Sequence, residues 1–142
     1  MNLYCQTALK NNYHIEYHNT EYGFPVDAEN LLTERLALEI FQAGLSWLTI
    51  LKKRAQIFVA FEKFDIDKIA SYTNEDIERL LNDPGIIRNI TKIKAIIFNA
   101  QKIQKMRDSH HGFSGWLHSH HPQKKKNGSL FLKKLLSLRA TR

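Results

Sequence analysis

Helix start and stop signals recur along this sequence, and strand-like alternation of apolar and polar residues is nearly absent. Apolar residues with helical spacing follow both Asp27 and Ser46, whose side chains suit the N-cap position of a helix. Gly44 stands between these two segments, where a glycine readily takes the positive φ that ends a helix. The pattern predicts an all-α protein.

Further signals extend this prediction toward the middle of the chain. Asp65 is placed to cap a short helix, and Thr73 with Asp76 three residues later resembles a capping box. Residues 82–85 (Asn-Asp-Pro-Gly) form a turn signal, because proline presets φ and glycine tolerates positive φ. A long segment with helical spacing of its isoleucines, residues 90–106, follows the turn.

The pattern changes after residue 107. We expect Gly112 and Gly115, among several histidines, to break the long helix. We therefore divide the chain into a helical domain, residues 1–122, and a basic linker with a short final helix, residues 123–142. Ser129 is placed to cap that last helix. The sequence leaves open whether it packs on the rest.

Length and composition suit one domain with a real core, since the chain has 142 residues and 43% of them are hydrophobic. No apolar run approaches the ~18 residues that span a bilayer. The first ten residues have neither the basic start nor the apolar core of a secretion signal. Cys5 is the only cysteine, which excludes an intrachain disulfide. These features predict a cytoplasmic protein with no membrane partner.

The net charge of +7 is unevenly distributed along the chain. Residues 1–84 hold eight Lys/Arg against thirteen Asp/Glu, whereas residues 85–107 hold six basic residues and no acidic one. Residues 123–142 hold seven basic residues and again no acidic one. Such asymmetry suggests a polyanion as partner, because Lys/Arg contacts to phosphate release condensed counterions. A solubilising surface is the alternative explanation.

The turn at residues 82–85 leads into a helix whose first turns are basic. A helix start exposes backbone N–H groups and the positive end of the macrodipole, so a phosphate can bind there without any base being read. The candidate contacts to a DNA backbone are Pro84, Gly85, Ile87, Arg88 and Lys92. An ordinary helix–helix connection is the alternative.

Glu39 is the candidate catalytic residue. In a helix it shares a face with Leu32, Leu36 and Ala43. A carboxylate on such a face either finds partners or is held for chemistry, because unpaired burial is costly. The alternative is a structural ion pair with Arg35 one turn earlier, although that order of charges is the weaker one in a helix.

Aromatic residues are the candidate binding surface for a planar base. Tyr17, Tyr22 and Trp47 are of the type that stacks on a base turned out of a duplex, and a cationic base would gain a cation–π interaction. Their alternative role is in the core of the protein.

Cys5 and His18 are zinc ligands by type, but two ligands do not complete a tetrahedral site. Histidines elsewhere are further candidates by type, although such histidine-rich loops are usually incidental. They are His110, His111, His118, His120 and His121.

Several segments together resemble the DNA-3-methyladenine glycosylase I family. The matching stretches are residues 17–25, 38–47, 50–54, 61–65, 83–89 and 92–100. Their order and spacing are kept from about residue 5 to residue 107, roughly three-quarters of the chain. The block Gln-Ala-Gly-Leu-Ser-Trp at residues 42–47, with Glu39 before it, is the most specific part.

The resemblance implies a glycosylase with a helix-hairpin-helix fold, in which Pro84 and Gly85 lie in the hairpin that binds the DNA backbone. It also implies that the protein excises 3-methyladenine from double-stranded alkylated DNA. It implies that Glu39 recognises the excised base and that Tyr17 and Trp47 line the pocket around it. It also implies a zinc site in which Cys5 and His18 are the N-terminal pair of ligands.

The C-terminal part departs from the family pattern. No second His and Cys pair follows residue 117, and the end of the chain looks shortened or rewritten. The alternative function is therefore a catalytically impaired DNA-binding relative that keeps the hairpin but lacks a complete pocket and zinc site. A third hypothesis is a helical module whose basic tail binds another acidic partner. Apolar surface left by missing helices would be covered by the terminal helix or in a homodimer.

Overall fold

The computed structural model describes residues 3–120, except the side chains of Leu3 and Thr7. All regular elements in this range are helical, which confirms the all-α prediction. In chain order they are α1 (Leu3–Ala8), α2 (Asn12–Thr20), α3 (Glu29–Gln42), α4 (Trp47–Ala60), a short 3₁₀ turn (Glu62–Phe64), α5 (Ile66–Ala70), α6 (Asn74–Asn82), α7 (Ile90–His110) and α8 (Gly112–Ser119). The predicted linker and final helix, residues 123–142, lie outside the described residues.

Most of the predicted helix starts are confirmed. The Ser46 hydroxyl accepts a hydrogen bond from the backbone N–H of Thr49 at 3.1 Å at the start of α4. The Asp65 carboxylate accepts from two backbone N–H groups in the first turn of α5. The backbone N–H of Thr73 donates to the Asp76 carboxylate at 3.0 Å. These contacts span three residues or fewer, so the local sequence suffices to specify them.

The start of α3 differs from the prediction. Asp27 does not cap this helix; the N-cap is Ala28, which makes no side-chain capping bond. The Asp27 carboxylate instead accepts a hydrogen bond from the Ser114 hydroxyl on α8 at 2.9 Å. A tertiary contact has therefore replaced the local one at this position.

The break after α7 was correctly predicted at Gly112 and wrongly at Gly115. The chain reverses at His111 and Gly112, with φ of 57° and 96°, and α8 then packs back on α7. Gly115 lies within α8, where a Cβ atom would be 1.8 Å from the backbone oxygen of His110. The glycine is required there because the two helices approach too closely for any side chain.

The core lies between α3, α4, α5 and α7. Three fully buried rings fill it, with ring centroids 5.9 Å apart for Phe41 and Phe61 and 5.6 Å for Phe61 and Phe64. The inner face of α7 supplies apolar residues at helical spacing, namely Ile93, Ile96, Ala100 and Ile103. None of the described helices combines the length and the hydropathy that a bilayer crossing needs.

Candidate functional site

The three aromatic residues predicted from the sequence lie together at the junction of α2 and α4. The rings of Tyr17 and Trp47 meet edge to face, with centroids 5.3 Å apart, and Tyr22 lies 6.4 Å from Tyr17. Tyr17 and Trp47 are half-buried and Tyr22 is exposed. A fourth ring, Tyr4 of α1, lies 4.9 Å from Tyr22 and was not identified from the sequence. We call these four rings the aromatic cluster.

Glu39 lies on α3 and faces the solvent. Leu36 is buried, whereas Leu32 and Ala43 are half-buried, so the shared face borders solvent rather than the core. The cost of unpaired burial, which the sequence suggested for Glu39, therefore does not arise. Exposure leaves its carboxylate within reach of a ligand that approaches α3 from outside.

Electrostatics link Glu39 to the aromatic cluster. Burial is the main cause that raises the pKa of the Tyr17 phenol above its usual value. The Arg35 guanidinium acts in the opposite direction, and the charge of Glu39, followed by that of Glu21, raises the pKa further. Tyr17 thus lies in the field of the Glu39 carboxylate, so the side chains that the sequence selected share one region of the molecule.

Arg35 ties the turn after α2 to α3. Its guanidinium donates to the backbone carbonyls of Phe24 at 3.3 Å and Glu21 at 3.5 Å, and lies 4.0 Å from the Glu21 carboxylate. The sequence had suggested Glu39 as the partner of this arginine. The bonds to residues 21–24 show that Arg35 also fixes the position of Tyr22.

A buried ion network supports the helix that carries Tyr17, and sequence reasoning missed it. The Glu34 side chain is only 4% exposed and accepts two hydrogen bonds from Arg54, at 2.7 and 3.0 Å. Arg54 also donates to the Glu21 carboxylate at the end of α2. Burial lowers the pKa of Arg54, but the hydrogen bonds and charges of Glu34 and Glu21 together outweigh it and raise the pKa above its usual value. The network joins α2, α3 and α4 behind the aromatic cluster.

The turn between α6 and α7, residues 83–89, rests on α4. The Asp83 carboxylate accepts a hydrogen bond from the backbone N–H of Gly85 at 2.7 Å, and the Lys53 ammonium donates to the Pro84 carbonyl at 2.9 Å. A Cβ atom on Gly85 would be 3.1 Å from the Cβ of Gln56 on α4. Close approach to α4 therefore favours glycine here, while Pro84 remains exposed.

The 83–89 turn leaves the start of α7 open to an anion. Asn89 caps the helix by accepting from the backbone N–H of Lys92 at 3.1 Å. The first turn of α7 contains no acidic residue, and Arg88 is exposed beside it. Ile87 is half-buried. Backbone amides and the positive end of the helix dipole thus lie at the start of α7, two residues from the exposed Arg88.

The Lys92 ammonium makes hydrogen bonds within the protein that the sequence did not suggest. It donates to the backbone carbonyls of Phe41 and Ala43, both at 2.7 Å. These carbonyls lie at the C-terminus of α3, where backbone acceptors lack partners within the helix and the dipole is negative. Lys92 therefore holds the end of the Glu39 helix against α7, and its contact with DNA stays a prediction.

Cys5 and His18 are in direct contact, with 3.2 Å between Sγ and Nε2. A thiolate and an imidazole are preferred zinc ligands, but structural sites use four. Within residues 3–120 no group of three or more His, Cys, Asp and Glu residues is arranged to hold a metal, and this includes the histidines near residues 110–120. The described residues therefore fit half of a zinc site.

Comparison with known proteins defines the family. The methyladenine glycosylase family model matches residues 7–135. DNA-3-methyladenine glycosylase 1 of Escherichia coli (strain K12) is 41% identical over 122 residues, which is 84% of this chain. DNA-3-methyladenine glycosylase of Haemophilus influenzae (strain ATCC 51907 / DSM 11121 / KW20 / Rd) is 38% identical over 115 residues, or 81% of this chain. This chain belongs to the methyladenine glycosylase family.

The fold comparison agrees with the family. A crystal structure of 3-methyladenine DNA glycosylase I superimposes with a TM-score of 0.77 and 38% identity, and the match covers 92% of this chain and 79% of that one. The chain spans 65% and 62% of the lengths of the Escherichia coli and Haemophilus influenzae relatives.

Proposed function

We propose that this protein is a DNA repair glycosylase that hydrolyses the N-glycosidic bond of 3-methyladenine in alkylated double-stranded DNA. The observation that carries the proposal is the Tyr17–Trp47 ring pair in the field of the exposed Glu39 carboxylate. The relatives at 38% and 41% identity bear the name of this activity. A carboxylate beside aromatic rings binds a planar, cationic base better than a neutral one, because both the carboxylate and the ring faces attract a positive charge.

The chemistry asks little of the protein beyond binding. Methylation at N3 makes the adenine cationic, so the base leaves with the electron pair of its bond to C1′ and needs little acid catalysis. Water then adds at C1′ and releases a proton. The aromatic cluster would stack on the flipped base, and Glu39 would accept hydrogen bonds from it. A carboxylate also favours the positive charge that develops on the sugar.

The 83–89 turn would bind the DNA backbone. Its amides and Arg88 suit a phosphate, and such contacts position the duplex without reading its sequence. The 83–89 turn and the aromatic cluster both contact α4, through Lys53 and Trp47. This shared support would keep a constant distance between the gripped strand and the flipped base.

Zinc binding by Cys5 and His18 is a further part of the proposal. A bound zinc ion would act structurally, by clamping α1 to α2; outside residues 3–120 the sequence offers one further ligand by type, His121, so a second copy of the chain would have to supply the rest. Metal analysis of the purified full chain tests this. We expect bound zinc in the wild-type protein and its loss in Cys5→Ser; equal zinc content in both would remove Cys5 from the site.

We predict that Glu39→Gln lowers the rate of 3-methyladenine release from alkylated DNA by roughly 10²–10³-fold, the usual cost of losing one preorganised charge-stabilising group. Affinity for DNA should stay unchanged, because Glu39 does not contribute to phosphate binding. Release of the free base is measured by chromatography after incubation with methylated duplex.

The matched control is Glu75→Gln, which removes the same charge at an exposed position in the first turn of α6. It should retain wild-type excision. Full activity in Glu39→Gln would exclude Glu39 from the mechanism. Steeply salt-dependent DNA binding by a wild-type protein that releases no base would instead identify a catalytically impaired relative.

A second prediction concerns the backbone contact. Arg88→Ala should weaken duplex binding similarly on all sequences and reduce the slope of log affinity against log salt by about 0.9, the value for one lost phosphate contact. Fluorescence anisotropy over a salt series measures this. Lys105→Ala, which removes an exposed charge near the other end of α7, is the control. An unchanged slope in Arg88→Ala would show that no phosphate lies there.

A further inference from the structure

Tyr4 contacts two rings of the aromatic cluster although it belongs to a separate helix. Its ring centroid is 4.9 Å from Tyr22 and 6.5 Å from Tyr17. It also lies 5.7 Å from the ring of His14 and 6.1 Å from that of His18. Tyr4 is therefore the ring through which α1 joins the surface built by α2 and α4.

Hydrogen bonds hold Tyr4 in this position. Its hydroxyl lies 3.0 Å from Nδ1 of His14, which is only 9% exposed. Trp47 is hydrogen-bonded to the same hydroxyl. The phenol oxygen can accept from the indole N–H and donate to the imidazole, so a chain of polar contacts runs from Trp47 through Tyr4 to His14.

The neighbouring residue provides a second anchor. Cys5 contacts His18 on α2 at 3.2 Å, one residue along α1 from Tyr4. A six-residue helix such as α1 has little stability of its own, so its position depends on contacts of this kind. The ring of Tyr4 is thus fixed by its own hydroxyl and by the adjacent Cys5–His18 contact.

The ring spacings restrict how a base can bind. A base inserted between two parallel rings needs about 6.8 Å between them, twice the 3.4 Å rise of stacked bases. The Tyr17–Trp47 and Tyr4–Tyr22 centroids are closer than this, at 5.3 and 4.9 Å. A base would therefore lie against the exposed side of the cluster instead of between its rings.

We propose that Tyr4 is a specificity-determining residue whose ring forms part of the surface on which the flipped base stacks. This inference rests on the proposed glycosylase function. A cationic base over the phenol ring gains a cation–π interaction that neutral adenine lacks. The hydroxyl contacts with His14 and Trp47 orient the ring.

The test compares Tyr4→Ala with Tyr4→Phe in the full-length protein. Free 3-methyladenine is titrated while the fluorescence of Trp47 is followed in a Trp116→Phe background, which leaves Trp47 as the only tryptophan. Excision kinetics are measured on methylated duplex. Removal of the ring should raise the dissociation constant and KM about tenfold, within the range found for a lost base–aromatic stack. The value of kcat should change less, because Glu39 is intact. Tyr4→Phe should restore most of the affinity.

Phe98→Ala serves as the control, because this exposed ring of α7 lines a cavity beside Tyr72 and Ile77 that holds no member of the aromatic cluster. Unchanged affinity in Tyr4→Ala would overturn the proposal. Tighter binding would also overturn it, since it would mean that Tyr4 occupies the base site. Circular dichroism shows whether each variant is folded. If the wild type neither binds nor releases 3-methyladenine, the proposed glycosylase function is wrong. If the wild type is active and Tyr4→Ala binds 3-methyladenine equally well, only the role of Tyr4 is rejected.

Discussion

Glu34→Ala is expected to destabilise the protein by about 3 kcal/mol, the lower end of the cost of breaking a buried ion pair. The Glu34 side chain is 4% exposed and bonded through both oxygens to Arg54, whose side chain is 24% exposed. Removing the carboxylate leaves the half-buried Arg54 guanidinium with one carboxylate partner instead of two. Glu21 remains as a partner of Arg54, which keeps the loss at the lower end.

Urea denaturation followed by far-UV circular dichroism measures this loss. Glu16→Ala, an exposed position on α2, is the matched control and should stay within about 0.5 kcal/mol of wild type. The double variant Glu34→Leu/Arg54→Met should be more stable than Arg54→Met alone, because it leaves no buried carboxylate unpaired. If Glu34→Ala unfolds like the control, the network contributes nothing to stability.

The network has a functional consequence as well. Arg54 binds the Glu21 carboxylate immediately after α2, the helix that carries Tyr17. Arg35 binds the backbone of the same turn from α3. The position of the aromatic cluster relative to Glu39 therefore depends on these two arginines.

Gly115→Ala is expected to be about as destabilising, at roughly 3 kcal/mol, although it adds a single methyl group. The new Cβ would lie 1.8 Å from the backbone oxygen of His110, so α8 has to move away from α7. Phe113, which is only 2% exposed, and the half-buried Trp116 would then lose part of their packing. Burial of one such side chain accounts for about 1.5–3 kcal/mol.

Fluorescence of Trp116 reports the displacement, in a Trp47→Phe background that leaves it as the only tryptophan. A red-shifted emission together with a lower urea midpoint is the expected result. Ser119→Ala near the end of the same helix is the control, with an expected change within about 0.5 kcal/mol. A Gly115→Ala variant with the emission and midpoint of its Trp47→Phe parent would mean that α7 and α8 leave room for a side chain at residue 115.

Local signals in the sequence were sufficient for much of the fold. Ser46, Asp65 and Thr73 begin helices as predicted, because an N-cap needs only a side chain and the amides of the next turn. Asp27 has a suitable side chain but bonds to Ser114 instead, 87 residues away. Gly115 resembles a helix breaker, yet its lack of a side chain serves the packing of α8 on α7. The roles of Asp27 and Gly115 therefore depend on which helices pack together.

The candidate site shows the same division. Tyr17, Tyr22, Trp47 and the Cys5–His18 pair were selected from residue type and motif. The fold places the three rings together and Cys5 beside His18, while their roles stay predictions. The remaining contributors are Tyr4, Glu34 and Lys92, whose contacts join different helices.

The sequence by itself determined the helical class, the starts of several helices and the family, because hydrophobic period, capping and motif order are properties of neighbouring residues. Only the tertiary structure decided that Glu39 faces solvent and that Glu34 is the buried carboxylate. The two lie five residues apart on one helix, and their exposure depends on how α2, α4 and α7 pack around it. The free energy of a charged group is set by the partners and the water that reach it, and those are fixed only when the helices are assembled.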